Sequence, residues 1–418
     1  MALTSTDIPA AATSYPLNKI RVALFEGVHA RAAKTLRAAG YTVETFAGAA
    51  TGNEAIERAA EAHIVGIRSR SQLREPFFAR ASKLWAIGCF CIGTDQVDLE
   101  SAASRGVAAF NAPFANTRSV AELTIAECVA LSRRLFERSA LLHQGAWRKS
   151  STGAHEVRGR TLGIVGYGRI GSQVSVLAEA LGMRVRFFDT APVLPLGNAQ
   201  PAPSLDALLE SSDIVTIHVP GSPATVNLMS EARIAQMRPG ACLINNARGN
   251  IVDVDALASA LRAGALTGAA IDVFPKEPAS SEEPFDSPLR GLPNVILSPH
   301  VGGSTEEAQA AIAEEVATKL IRFMNNGSTT VAVNVPEVDL PVLAPDRHRI
   351  LHFHQNVPGV LSKLHAMIAD LGVNIHAETL GSDAKHGYVI LDVDAKEGKA
   401  IKAGLRAIPE TIRVRALW

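Results

Sequence analysis

Three short stretches hold side chains suited to moving a proton and gripping an anion. "LINNARGNIVD" carries Arg248, "AIDVFPKEP" carries Glu277 and "LSPHVGGST" carries His300. Each follows an apolar run that reads as a strand, so each lies at a strand's C-terminal end, where parallel sheets place ligands. Oxidising an alcohol by hydride transfer needs a base for the hydroxyl proton, and an imidazole titrates in the right range. A carboxylate bonded to that imidazole fixes its tautomer and raises its pKa. A guanidinium matches a carboxylate in two-pronged fashion and polarises a neighbouring oxygen. Singly, each is an ordinary surface or loop residue. Their order, downstream of a dinucleotide motif, makes them a catalytic set.

That motif is "LGIVGYGRIGSQ", with Gly166, Gly168 and Gly171 in G-x-G-x-x-G spacing around Arg169 and Ile170. Such spacing is weak alone. Here it follows an apolar strand over 162–165 and opens the helical stretch "SQVSVLAEALG", and the next strand, "RVRFFD", ends in Asp189. The glycines let backbone approach a pyrophosphate at the positive end of the helix, and the carboxylate accepts from the ribose hydroxyls. Thr190 and Ala191 follow Asp189. With a carboxylate there and no adjacent cation, NAD is expected rather than NADP.

Further cationic and polar groups stand near other strand ends. "IRSRSQ" offers Arg68, Ser69 and Arg70, and "FANTRS" offers Asn116 and Arg118. Arginines with hydroxyl and amide donors suit phosphate oxygens, but surface arginines are common, and spacing alone leaves both readings open. Near the C-terminus, "HFHQNVPGVLSKL" places His352 and His354 on one face of a strand. No cysteine or second histidine pair completes a ligand set, so no metal is expected. The four cysteines form no disulfide framework; Cys89 and Cys91 lie in the apolar run "LWAIGCFCIG", which reads as a buried strand. A reducing, cytoplasmic setting is expected.

Positioning these groups takes more than one domain, and 418 residues allow two or three. Lys+Arg and Asp+Glu balance at 41 each, which leaves no electrostatic footprint for nucleic acid. No apolar run approaches the roughly 20 residues that span a bilayer. The opening residues lack the basic start and apolar centre of a signal peptide, and 1–18 reads as a disordered leader. From Ile20, strands ("IRVALF", "YTVETF", "HIVGIRS", "LWAIGCF", "GVAAF") alternate with helices, one of them stopped by Gly40. "SVAELTIAECVALSRRLFERSALLHQGAW" reads as one long helix joining two domains. A second β/α series runs from "TLGIVGYGRIG" to "NVILSPH", and another long helix, "STEEAQAAIAEEVATKLIRFMNNG", returns to the first domain. After a proline-punctuated linker the chain ends in a β-α-β-β-α-β pattern, ferredoxin-like. The expected fold is α/β: a Rossmann-type NAD domain over 116–302, a discontinuous flavodoxin-like substrate domain over 19–115 and 303–344, and a ferredoxin-like domain over 345–418.

The stretches "GIVGYGRIG", "NARG", "DVFPKEP" and "SPHVGGST" resemble those of the D-isomer-specific 2-hydroxyacid dehydrogenases, over nearly the whole chain from about Lys19. "INNARG" stands where "INASRG" is commoner in that family, with Arg248 and Gly249 in place. "GCFCIGTDQVDL", "NAPFANTRSVAEL" and the C-terminal unit resemble the members that act on 3-phospho-D-glycerate and end in one ACT domain. The resemblance implies oxidation of 3-phospho-D-glycerate to 3-phosphohydroxypyruvate, the first step of serine synthesis. It implies Arg248 on the carboxylate and carbonyl oxygen, His300 as acid/base and Glu277 as its partner. Arg68, Ser69 and Asn116 would hold the phosphate, Lys149 would reach a neighbouring subunit's site, and Trp147 would make an intersubunit contact in a homotetramer. L-serine would bind as an allosteric inhibitor at His354, Asn356 and Asn374, where two ACT domains meet. Side reduction of 2-oxoglutarate stays open, as do two rivals: a dehydrogenase for glycerate, lactate or formate, and a non-catalytic dinucleotide-sensing corepressor.

Overall fold

The computed structural model describes residues 15–278, 282–395 and 397–418. The leader expected over 1–18 lies outside the described residues as far as 14, and Leu17–Lys19 form a short 3-10 turn. Five parallel strands come first: β1 (Arg21–Leu24), β2 (Thr42–Thr45), β3 (Ile64–Ile67), β4 (Ala86–Cys89) and β5 (Ala108–Phe110). Their order, β2-β1-β3-β4-β5, is the flavodoxin-like one. β3 and β4 are buried at every position, because crossover helices cover both faces. That is why they read as unbroken apolar runs rather than alternating ones. Gly40, at φ +90°, ends the helix Ala30–Ala38 in the left-handed stop expected of it.

A second parallel sheet holds β6 (Thr161–Val165), β7 (Arg184–Phe188), β8 (Gln200–Pro201), β9 (Ile214–Ile217), β10 (Cys242–Asn245), β11 (Gly268–Ile271) and β12 (Val295–Leu297). The order β12-β11-β10-β9-β6-β7-β8 reverses direction between β6 and β9, the switch point at which doubly wound sheets bind dinucleotides. Leu162, Ile164, Val185 and Ile214 pack one face of it; Val215, Ile217, Leu243 and Ile271 pack the other.

The long joining helix expected across 119–147 is two helices, Thr117–Arg133 and Leu135–His143. Arg134 between them takes the left-handed conformation, φ +52°, and its guanidinium reaches Glu137 at 2.7 Å. Apolar periodicity does not register this break, since arginine is a good helix former.

The C-terminal unit pairs β13 (Arg347–Gln355), β14 (Ile375–Ser382), β15 (His386–Asp394) and β16 (Thr411–Leu417) in an antiparallel sheet of order β14-β15-β13-β16. Helices Val360–Asp370 and Gly398–Arg406 cover one face over Ile350, Val389, Leu391 and Val414. The other face carries the fully buried Arg349, which forks onto Asp392 at 2.6 and 2.7 Å and donates to Pro341 O at 2.7 Å. That face packs on the first sheet's lobe: Tyr388 donates to Gly327 O at 2.6 Å.

Two compact units result, Phe114–Gln309 and the chain up to Pro113 joined with Ala310–Trp418. No disulfide joins any of the four cysteines, all among the described residues, and Cys89 is buried in β4 as its apolar run implies. Among the described residues no helix is long and apolar enough to cross a membrane.

Candidate active site

In the second unit the loop after β12 presents His300, whose Nδ1 lies 2.9 and 3.1 Å from the two Glu277 oxygens. Glu277 follows β11 in a turn where its Oε1 also accepts the Phe274 N–H at 3.2 Å. The hydrogen bond to Glu277 raises the His300 pKa against the opposing effect of burial, and the Glu277 and Asp272 charges add to the rise. Burial pushes the Glu277 carboxyl up, yet the His300 hydrogen bond and charge, with Phe274 N–H and Arg248, outweigh it and hold it low. With Nδ1 engaged by the carboxylate, Nε2 is the nitrogen left for a substrate.

His300 itself has φ +54°, a left-handed backbone uncommon outside glycine. Asp272, buried at the end of β11, holds it. Its carbonyl accepts His300 N–H at 2.8 Å, and its carboxylate accepts Ser298 Oγ–H at 2.6 Å, Val301 N–H at 2.9 Å and Gly302 N–H at 2.8 Å. Arg248 follows β10 and is half-buried; the Asn245 side chain donates to its carbonyl at 3.0 Å. The next residue must be glycine, since a Cβ on Gly249 would lie 2.0 Å from the Phe274 backbone. Under this loop Asn246 donates to Glu127 at 2.7 Å and Thr124 at 3.1 Å. Glu127 is buried in the helix Thr117–Arg133, and burial raises its carboxyl to about 7.

The dinucleotide turn has the geometry its glycines imply. Gly166 is at φ +92° against the His218–Val219 backbone, and a Cβ on Gly171 would meet Gly166 O at 2.2 Å. Gly168 faces open space, where a pyrophosphate would lie, at the start of the helix Arg169–Ala180. The Arg169 guanidinium lies over the Phe114 ring, 3.5 Å from its centroid, and Ile170 packs into the core beside it. Asp189 accepts Tyr167 N–H at 2.7 Å and Ala191 N–H at 2.9 Å, one on each oxygen, which fixes the carboxylate and leaves lone pairs for two hydroxyls. These residues fit NAD. His218, at the end of β9, is fully buried and its imidazole is pushed down to about 3, a neutral core group bonded to Thr216.

In the first unit Arg68 and Ser69 leave the end of β3. Glu26, buried with φ +63°, accepts the N–H of Arg70 at 2.9 Å and of Ser71 at 2.8 Å and so shapes this loop. It also draws in the Arg70 guanidinium, at 3.8 Å, while among the described residues no ion pair engages Arg68. Asn116 is buried with its Oδ1 unpartnered, directly beside Gly303. Arg118 is spent on Glu122 of its own helix, 2.5 Å away. Lys149 and Trp147 are exposed, the indole to 81%.

Residues 125–302 match the model of the D-isomer specific 2-hydroxyacid dehydrogenase NAD binding domain, and 350–413 match the AHAS small subunit-like ACT domain. D-3-phosphoglycerate dehydrogenase of Haemophilus influenzae is 52% identical, covering 96% of this chain and 98% of that one. The Escherichia coli K12 enzyme of the same name is 51% identical over 98% and 100%. The crystal structure of Aquifex aeolicus D-lactate dehydrogenase with NAD and lactic acid superposes with a TM-score of 0.64 at 26% identity, over 72% of this chain and 95% of that one. The chain belongs to the D-3-phosphoglycerate dehydrogenase family.

As a member of this family it is an NAD-dependent oxidoreductase with a C-terminal ACT domain. Within that ACT domain His352 and His354 do share a face, their ring centroids 5.2 Å apart. Among the described residues no group of three or more His, Cys, Asp and Glu could hold a metal. His352 bonds Thr411 at 2.8 Å, and burial with the nearby His354 drives its imidazole down to about 3. His354 is buried, donates from Nδ1 to Gln355 O at 2.8 Å, and keeps Nε2 unpartnered. Asn356 is exposed and donates to Asp383 O at 2.6 Å. Asn374 lies elsewhere: its N–H reaches Asp394 beyond the far end of β14, whereas Ser382 and His354 both stand opposite Gly387. The eight residues of β14 separate the two sets by roughly 25 Å.

Sequence reasoning missed Glu26, Asp272, Glu127 and Asn246. Each is an ordinary residue until its distant partner is known.

Proposed function

We propose that the protein oxidises 3-phospho-D-glycerate to 3-phosphohydroxypyruvate with NAD, the first step toward L-serine, in the cytoplasm, and that L-serine inhibits it. The observation that carries the reading is the two-oxygen contact of Glu277 with His300 Nδ1, on the same sheet as the dinucleotide turn. Bound NAD supplies the hydride acceptor. Glu277 holds the imidazole with Nε2 as the base, and His300 takes the hydroxyl proton as C2 gives up its hydride. Arg248 binds the substrate carboxylate and steadies the carbonyl oxygen as it forms. Arg68, Ser69 and Asn116 take the phosphate, and Lys149 assists from a neighbouring subunit. 2-Oxoglutarate presents a 2-oxo acid with a second, distal anion in place of the phosphate, and is the side substrate we propose in the reductive direction.

Two further features support the regulated, oligomeric form. Leu135, Phe136, Leu142 and Trp147 expose large apolar surface along one helix and the loop after it, which self-association in a homotetramer would cover. One chain keeps Asn374 far from His354 and Asn356, so a serine touching all three needs two ACT domains. Amide side chains serve both ends of the zwitterion.

The test is NADH formation from 3-phospho-D-glycerate with L-serine titrated in. Turnover that falls with serine supports the reading; no turnover sinks the activity, and turnover indifferent to millimolar serine sinks the regulation.

A further inference from the structure

The junction of the ACT domain with the first lobe holds a cavity of about 430 Å³ that the reaction does not use. His63, Ser82, Lys83 and Trp85 line it from the lobe, Arg406 and Arg413 from the ACT domain, and its lining includes no carboxylate. Arg413 is rigid. It donates to the carbonyls of Leu84, Ser82 (3.0 Å) and Arg105 (3.4 Å), and its guanidinium lies 3.7 Å over the Trp85 ring. A guanidinium has five N–H groups, so Nε–H and one more lack a protein partner among the described residues. Among those residues neither Arg406 nor Arg413 is in an ion pair, whereas Lys83 is paired with the exposed Glu61 at the cavity's edge. His63 accepts the Arg21 N–H at Nδ1, 3.1 Å away, which makes Nε2–H a neutral donor.

The surplus charge is felt by its neighbours. Burial first, then Lys83, Arg21, Arg413 and Arg415, hold the His63 imidazole below its ordinary value. Burial, then Arg415, pulls Arg413 down to about 10, and burial with Arg406 and Arg415 lowers Lys402. Three cations against the single carboxylate of Glu61 leave a positive surplus around a partly desolvated cavity, a state that an anion relieves.

We propose that this cavity binds a small, multiply charged oxyanion, a phosphorylated or polycarboxylate metabolite. Lys83, Arg406 and Arg413 supply the charge, and Ser82 and His63 add neutral donors. Because these groups come from both the ACT domain and the lobe, the bound anion ties the last strand to the lobe.

The experiment follows the thermal midpoint of the NAD-loaded full chain against inorganic pyrophosphate and, separately, citrate, at matched ionic strength. A saturable rise is expected with at least one of them, needing about tenfold more anion in Lys83→Glu and in Arg406→Glu. Arg68→Ala should keep the rise, which separates this cavity from the substrate's phosphate site. Both reversed side chains belong to exposed residues. Should either variant melt early without anion, isothermal titration on the folded protein gives the same comparison. Equal response in the reversed variants, loss of the response in Arg68→Ala, or no response of the parent to either probe overturns the proposal.

Discussion

His300 is held twice, by Glu277 at its ring and by Asp272 at its left-handed backbone. Removing the ring in His300→Ala should lower kcat by about 10² to 10⁴ fold, the ordinary worth of general acid/base catalysis, with NADH affinity unchanged. Glu277→Gln should act through pH. Glu277 raises the imidazole's pKa, and reduction needs imidazolium, so the alkaline limb of the reductive profile should move toward acid in the variant. The linked stability has a definite window. The raised imidazole contributes fully below its ordinary value of 6.5 and loses its contribution as pH rises through the raised one. The lowered carboxyl contributes above 4.5 and loses its contribution as pH falls through the lowered value. The pair therefore stabilises the fold most between those two pH values. An unshifted reductive profile in Glu277→Gln would show that the contact does not tune the base. Asp189→Ala should weaken NAD by roughly ten- to a hundredfold, through loss of charge-assisted bonds, and narrow its advantage over NADP; steady-state KM values for both cofactors decide it.

Among the elements, the loops after β10, β11 and β12 carry the three residues proposed for catalysis, and close backbone contact keeps these loops in register. Gly249→Ala puts a Cβ into the Phe274 backbone, so it should displace the Arg248 loop and cost most activity while the helices persist by circular dichroism. Full activity in that variant would mean the two loops move independently. Such contacts mark the limit of legibility. The dinucleotide turn was readable because its glycines are demanded by short-range geometry that spacing displays. The strand-end placement of Arg248, Glu277 and His300 was readable because each follows an apolar run, and the structure brings Glu277 onto His300. Asp272, Glu26 and Glu127 were not, since buried carboxylates announce themselves only through partners far along the chain. The break at Arg134 was hidden because one left-handed residue leaves the apolar period intact.

For the whole molecule, the buried Arg349 of the ACT domain donates to Asn326 O at 3.2 Å and Pro341 O at 2.7 Å, which ties the domain to the segment that precedes it. Asp392→Ala leaves the fully buried Arg349 without its partner and should cost about 3–5 kcal/mol in chemical unfolding; a loss under 1 kcal/mol would mean water reaches the site. Regulation needs serine to favour one conformational state, a coupling typically about 1–3 kcal/mol. Asn356→Ala and Asn374→Ala should therefore each relieve inhibition and leave uninhibited turnover nearly intact, read from serine dose–response curves. Mixing the two variants tests the two-chain site, since a heterodimer keeps one complete pair. If this oxidoreductase is built for a phosphorylated 2-hydroxy acid, kcat/KM for 3-phospho-D-glycerate beside D-glycerate, in the parent and in Arg68→Ala, will show it. We expect the parent to favour the phosphorylated acid by at least about a hundredfold, and Arg68→Ala to lose roughly ten- to a hundredfold on that substrate alone. Equal use of both acids by the parent, or an equal loss on both in the variant, would contradict the account.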